Sequence, residues 1–187
     1  ERLLDAAWEL VDGEGAVTLT LGEVATRAGV SRQALYLHFP NRATLLAEMA
    51  RRMDRISGFR RRLAATRRLP AAEGFRALVE EWLAYVPRIL RTARALEAAT
   101  VTGSDGAEAY LDRMAEWRAA IRIAVERLAE EGRLAPGWTV DEAADWAWAQ
   151  LHPSLYHHLV HERGWPPEAV ARRIIGALER DLLNPAG

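Results

Sequence analysis

A chain of 187 residues, half of them hydrophobic, is long enough to bury a substantial core. The absence of cysteine excludes disulfides, thiolate metal sites and cysteine nucleophiles, and no apolar run reaches the roughly 18 residues that a membrane helix needs. The formal net charge of −1 decides nothing about nucleic acid, because the charge is unevenly laid out and only local placement counts. No charged segment followed by an apolar one opens the sequence, so a cytoplasmic location is expected, and the missing initiator Met marks the sequence as trimmed. All 25 basic residues are arginine.

Apolar residues recur at helical spacing almost throughout, and no segment sustains the alternation of a strand. Leu3, Leu4, Ala7, Trp8 and Val11 form one stripe on a first helix, which the glycines of DGEG (12–15) are expected to end. Thr20 precedes Glu23 by three residues, a capping-box spacing that opens a second helix carrying Val24 and Ala28 inward and stopping at Gly29. Ser31 is placed to cap a third helix, and Pro40 closes it by disfavouring helical geometry at Phe39. From Asn41 a longer helix carries Leu45, Leu46, Met49 and Met53 into the arginine-dense stretch RRMDRISGFRRRLAATRRLP, and Leu69-Pro70 is the best break after it. Helical patterns follow at about 72–85, 88–100, 107–131, 140–163 and 167–183, punctuated by Pro87, TGSDG (102–106), GRLAPG (132–137) and GWPP (164–167). Thr139 and Glu142 repeat the capping-box spacing, and Pro153 predicts a kink or break inside the pattern around it.

Two short helices joined by AGV, with a third element behind, make the layout of a helix-turn-helix. On a helical wheel Arg32, Gln33, Tyr36 and Leu37 share an arc of about 140° on the third of these helices, while Ala34, Leu35 and His38 point elsewhere. An arginine can pair with guanine and a glutamine with adenine, and a position near the helix N-terminus lets both reach base edges.

Residues 3–49, LLDAAWELVDGEGAVTLTLGEVATRAGVSRQALYLHFPNRATLLAEM, resemble the TetR-type repressors. The resemblance rests on T-x-x-x-V-A-x-x-A-G-V-S, then L-Y-x-H-F, then N-R-x-x-L, in uninterrupted order. It implies phosphate contacts from Tyr36, His38 and Arg42, and a hold on the other strand by Thr20 and its neighbouring amides. Arg32 and Gln33 are then the expected readers, with Leu37 against a thymine methyl. Two positions depart from the family's pattern. Gly22 lacks the side chain some relatives use there, which moves base reading onto the third helix; Pro40 stands where a lysine is common, whereas Arg42 keeps the cation.

Residues 51–70 hold eight arginines against one acid. They read either as a solvated face paired with acidic residues further along the chain or as an anionic effector site. Six of the seven tryptophans lie after residue 80. Trp82, Tyr85, Tyr110, Trp117, Ile121, Trp148, Leu151 and His152 form the candidate lining for an apolar or aromatic effector, although aromatics at helical spacing also serve as plain packing. By resemblance the last two helices make a four-helix dimer interface, with Leu155, Leu159, Ile174, Leu178 and Leu182 as its expected apolar positions. A two-fold dimer suits a palindromic site. The histidines of HPSLYHHLVHE (152–162) bring two rings one turn apart at His157 and His161, but no third metal ligand is identifiable, so no metal or other cofactor is expected.

The sequence therefore predicts an all-α protein: a three-helix DNA-binding domain over residues 1–50, joined by a long fourth helix to an effector-binding and dimerisation domain over 51–187. Its expected partners are an operator duplex, a second copy of itself and a small-molecule effector that splays the two reading helices through the fourth. The rival readings are a helical interaction or ligand-sensing protein that no longer binds DNA, and a small helical enzyme, which the lack of any nucleophile-base set disfavours.

Overall fold

The structure, a computed structural model, describes residues 1–14, 19–102 and 107–184. Apart from an isolated antiparallel bridge between Leu134 and Leu183, the regular structure among these residues is helical. In chain order it comprises α1 (Arg2–Glu14), α2 (Leu21–Ala28), α3 (Arg32–His38), α4 (Arg42–Ser57), α5 (Phe59–Thr66), α6 (Ala71–Thr102), α7 (Ala107–Glu130), α8 (Val140–Gln150), α9 (Pro153–His157), a π-helical turn (His158–Glu162) and α10 (Pro167–Leu182). The chain divides into two compact units, one formed by Glu1–Ser57 with Arg88–Arg113, the other by Gly58–Pro87 with Met114–Gly187. Both α6 and α7 contribute to each unit.

In the first unit α1 packs on α2 and α4, and α2 on α3. Leu4, Ala7, Leu10 and Val11 of α1, Val24 of α2, Leu35 of α3, and Leu45, Leu46 and Met49 of α4 are buried, as the helical periodicity requires. Polar ties surround this core. Arg52 of α4 reaches Glu1 and Asp5 at 2.9 and 2.6 Å, Arg27 meets Glu9 at 3.3 Å, and the Arg91 guanidinium donates to the Val11 carbonyl at 2.9 Å. Asp54 is nearly fully buried and accepts from Arg113 through both oxygens, at 3.2 and 3.0 Å.

The second unit buries Phe59, Phe75, Trp82 and Tyr85 with Trp117, Ile121, Val125 and Leu128 of α7 and Val170, Ile174, Leu178 and Leu182 of α10. The loop after α7 is stitched to the end of α10: Ala135 donates to the Leu182 carbonyl, Asn184 to the Arg133 carbonyl, and the Trp138 indole to the Asp181 carbonyl. The first free amide of α6, at Ala71, donates to the Glu131 carboxylate at 2.8 Å, a cap borrowed from a residue 60 positions away.

Several elements differ from the sequence reading. Pro87 does not separate two helices, because α6 runs through it. A proline inside a helix costs about 3 kcal/mol, and the burial of Tyr85, Val86, Ile89 and Leu90 on either side offsets it. The fourth helix, by contrast, stops early, since Gly58 adopts a left-handed backbone (φ 67°) and α5 starts afresh behind it. The first helix continues through Gly13 to Glu14, and Gly15 of the expected terminator lies outside the described residues, as do 103–106 of the TGSDG loop. The expected interruption at Pro153 is present, with α9 beginning there.

Gly74 marks the tightest backbone approach. A Cβ at this position would sit 2.7 Å from the Thr66 carbonyl oxygen, which is backbone and cannot swing away. Gly74→Ala is therefore expected to destabilise the protein by about 1–3 kcal/mol despite the better helix propensity of alanine, read as a lowered urea midpoint.

Candidate nucleic-acid interface

The segment from Thr20 to Arg42 is built by local hydrogen bonds that the sequence specifies. Thr20 and Glu23 close a capping box: the Glu23 amide donates to the Thr20 hydroxyl, and the Glu23 carboxylate accepts from the Thr20 amide at 2.9 Å and from its hydroxyl at 2.6 Å. Gly29 ends α2 in the left-handed region (φ 66°), which lets its own amide and that of Val30 turn back to the Thr26 and Ala25 carbonyls. The Ser31 hydroxyl accepts from the Ala34 amide at 3.1 Å and opens α3. Phe39 is extended before Pro40, and the Asn41 side chain accepts from the amide and hydroxyl of Thr44 at 2.8 Å to open α4.

These caps fix the two faces of α3. Leu35 has no exposed surface and Phe39 is buried, whereas Tyr36 is 52% exposed and Leu37 83%. Arg32, Gln33 and His38 are exposed with them. Among the described residues neither Arg32 nor Gln33 makes a side-chain hydrogen bond or ion pair. This side of α3 thus exposes a polar pair beside an almost bare leucine and a half-exposed tyrosine.

Arg42 and Thr20 need separate comment. Arg42, at the first position of α4, is half-buried, and loss of water around its guanidinium lowers its pKa from the ordinary arginine value. It enters any phosphate contact partly enclosed by protein rather than as a waving surface cation. Thr20 is exposed, but its hydroxyl proton and its amide both go to Glu23. A phosphate at this helix start meets a carboxylate already in place, and the amides of Leu21 and Gly22 are the ones helix geometry leaves without an intrahelical acceptor.

The arginines of 51–70 are largely committed to carboxylates. Arg51 and Arg55 pair with Glu48, Arg52 with Glu1 and Asp5, Arg60 with Glu116, and Arg62 with Glu81. Only Arg60 and Arg62 pair with acids further along the chain; Arg51, Arg52 and Arg55 pair with acids that precede them.

In the second unit Phe59, Trp82, Tyr85 and Trp117 form one aromatic cluster, with Phe59 stacked on Tyr85 at 4.0 Å between centroids and Trp82 on Trp117 at 4.2 Å. Phe59 was not among the candidate residues; the sequence signal that finds it is the glycine before it, which restarts the helix and turns its first residue inward. The Trp82 indole donates to the Leu151 carbonyl and the Trp148 indole to that of Met114, while the Trp117 N–H is buried without an acceptor among the described residues. Ile121 and Leu151 are buried in the same unit. His152 presents its ring edge-on to Trp148 at 5.4 Å, and its Nδ1 accepts from the Ser154 amide, capping α9. Tyr110 lies in the first unit, where burial, with the Glu97 charge as a lesser cause, pushes its phenol far above the usual range.

The expected dimer positions divide. Leu155 and Leu159 keep part of their surface, but Ile174, Leu178 and Leu182 are buried inside the single chain. That corrects their assignment to a partner-facing surface: on α10 this i, i+4, i+8 stripe is the one turned to its own core, and the opposite side carries Arg172 and Gly176, with Arg173 and the half-buried Ile175 on its flanks. Around the π-helical turn, His158 meets Glu162 at 2.9 Å and the rings of His157 and His161 stack at 5.3 Å.

The Glu23 box gives a pH dependence of definite sign. Hydrogen bonds from the Thr20 side chain, then its backbone, hold the Glu23 carboxyl below the ordinary glutamate value. Its stabilisation of α2 is thus complete above the unfolded pKa of about 4.3 and is lost as pH falls through the depressed folded value. Hydrogen exchange at Val24–Ala28 is expected to accelerate from pH 6 to pH 3 beyond the intrinsic rate change, and Glu23→Gln is expected to flatten that difference.

Comparison with known proteins agrees with this geometry. Residues 3–49 match the model of the bacterial regulatory proteins of the tetR family. Over 49 residues the chain is 39% identical to the HTH-type transcriptional regulator AcrR of Shigella flexneri, a match covering 26% of this chain and only 23% of that protein's length. Among solved structures, a chain assigned as a transcriptional regulator from Saccharomonospora viridis, crystallised with choline, superposes with a TM-score of 0.78 at 21% identity, covering 98% of this chain and 96% of that one. SmeT, the repressor of the SmeDEF multidrug efflux pump of Stenotrophomonas maltophilia, superposes at 0.72 with 19% identity, over 98% and 90% of the two chains. Residues 3–49 are therefore similar to the DNA-binding part of the tetR-family regulators, and nearly the whole chain shares its helical fold with solved structures of such proteins.

Proposed function

We propose that this protein is a homodimeric, sequence-specific DNA-binding regulator, acting as a repressor that a small-molecule effector releases. The observation that carries this reading is the division of α3 into a buried face of Leu35 and Phe39 and an exposed face of Arg32, Gln33, Tyr36 and Leu37. Residues 1 to about 50 bind the operator. Tyr36, His38 and Arg42 hold phosphates and set the register, Arg32 and Gln33 read base edges, and Leu37 meets a thymine methyl. Thr20 anchors the start of α2 near the other strand, its amide becoming available if Glu23 yields.

The dimer follows from size, since a single short helix buries too little surface for tight binding and a two-fold axis presents two reading helices to successive major grooves. Residues 51–187 supply the interface, through Leu155, Leu159 and the outward side of α10, and the effector site, around Trp82, Tyr85, Trp117, Trp148 and Leu151. The choline complex of the Saccharomonospora viridis relative supports a small organic effector for this fold. Such a ligand changes DNA affinity only by preferring one separation of the reading helices over the other. The chain links the two units at Ser57–Gly58, within α6 at Pro87–Arg88 and within α7 at Arg113–Met114, and these crossings are the covalent routes for that preference.

Titration of the protein with its own upstream DNA at two salt concentrations tests the reading. Affinity is expected to fall with salt, with a slope set by the few phosphates that arginines neutralise. Tyr36→Ala is expected to weaken operator binding about tenfold, the worth of one hydrogen bond and its packing, without altering the melting temperature. Failure to bind any genomic duplex at low salt would sink the proposal.

A further inference from the structure

Gly22 is the position where this chain lacks a side chain at the start of α2, and the structure shows what fills the space. A Cβ built on Gly22 would lie 3.0 Å from Nη2 of Arg32 and 3.3 Å from its Cζ and its Nε. Contact at three atoms, rather than at one tip, means that the guanidinium rests against the glycine. Arg32 is the first residue of α3, and its fork lies beside Gly22 in the first turn of α2. No carboxylate among the described residues compensates: Glu23, one residue away, is committed to Thr20 and makes no ion pair with Arg32. A cation parked there without an anion is poised for an acceptor from outside the protein.

We propose that Gly22 is a specificity-determining residue that acts through Arg32, a positioning role resting on the operator-binding reading above. The glycine admits the guanidinium against α2, which removes most of the freedom of a long exposed side chain before DNA arrives. The fork is then held for paired hydrogen bonds to guanine O6 and N7. A Cβ at residue 22 meets the guanidinium at 3.0–3.3 Å, so even an alanine shifts the fork by some tenths of an ångström out of its seat, and a larger side chain moves it further. The missing side chain on α2 is thus a seat for the reader on α3.

The test is selection of preferred duplexes from a random pool by the full chain, run for wild type, Gly22→Ala, Arg32→Ala and the double variant, with melting temperatures measured in parallel. Wild type is expected to select a guanine at one position of each half-site, and Arg32→Ala to lose about tenfold or more of that preference. Gly22→Ala is expected to lose preference at the same position, with no further loss in the double variant, while melting no lower than wild type because alanine is the better helix former. If Gly22→Ala selects the wild-type sequence with unchanged preference, the inference is overturned and operator binding stands. If wild type selects nothing, both fall. Should Gly22→Ala melt lower, recovery in the double variant supports the Gly22–Arg32 contact, and failure to recover refutes it.

Discussion

Everything proposed for the N-terminal part hangs on the burial of Leu35 and Phe39. Helix α3 has seven residues, and a helix that short does not persist in water, because one costly nucleation step is spread over too few hydrogen bonds. Two buried side chains, a serine cap in front and an extended residue before proline behind are what hold it. With the helix pinned on that side, the opposite side is free to display a tyrosine, a leucine, an arginine and a glutamine that contribute nothing to the core. Such a surface would be a liability in a protein without a partner for it.

Charge does not provide a general attraction to DNA here. The chain is near neutral, and the arginine-dense stretch spends its cations on Glu1, Asp5, Glu48, Glu81 and Glu116. Exposed pairs of this kind are worth about 0–1 kcal/mol each, so they bring little stability. A near-neutral chain offers no broad basic surface, so in the proposed reading the individual donors carry the contact.

The second unit rests on a different kind of order. Four aromatic rings stack pairwise, and the indoles of Trp82, Trp138 and Trp148 are tied to backbone carbonyls, which fixes ring orientation as well as burial. The Trp117 N–H is the exception, a buried donor inside this cluster with no acceptor among the described residues. Buried polar groups normally find partners, which sets this indole apart from the other three. On α10 the same packing logic claims Ile174, Leu178 and Leu182 for the chain's own core.

What the sequence by itself determined was local. The caps at Thr20, Ser31, Asn41 and Thr139, the left-handed turn at Gly29, the stop before Pro40 and the restart at Pro153 all involve residues within a turn of one another, and the two faces of α3 follow from helical periodicity alone. Only the tertiary structure decided the rest, because it depends on groups far apart in the chain. Pro87 sits inside a helix because buried neighbours outweigh one lost hydrogen bond, and α6 is capped by Glu131 across 60 positions. Periodicity shows that α10 has an apolar stripe, but whether that stripe meets its own chain or another is set by which elements fold against it. The same holds for Gly22: the sequence shows a missing side chain, and only packing of α2 against α3 shows that Arg32 takes its place.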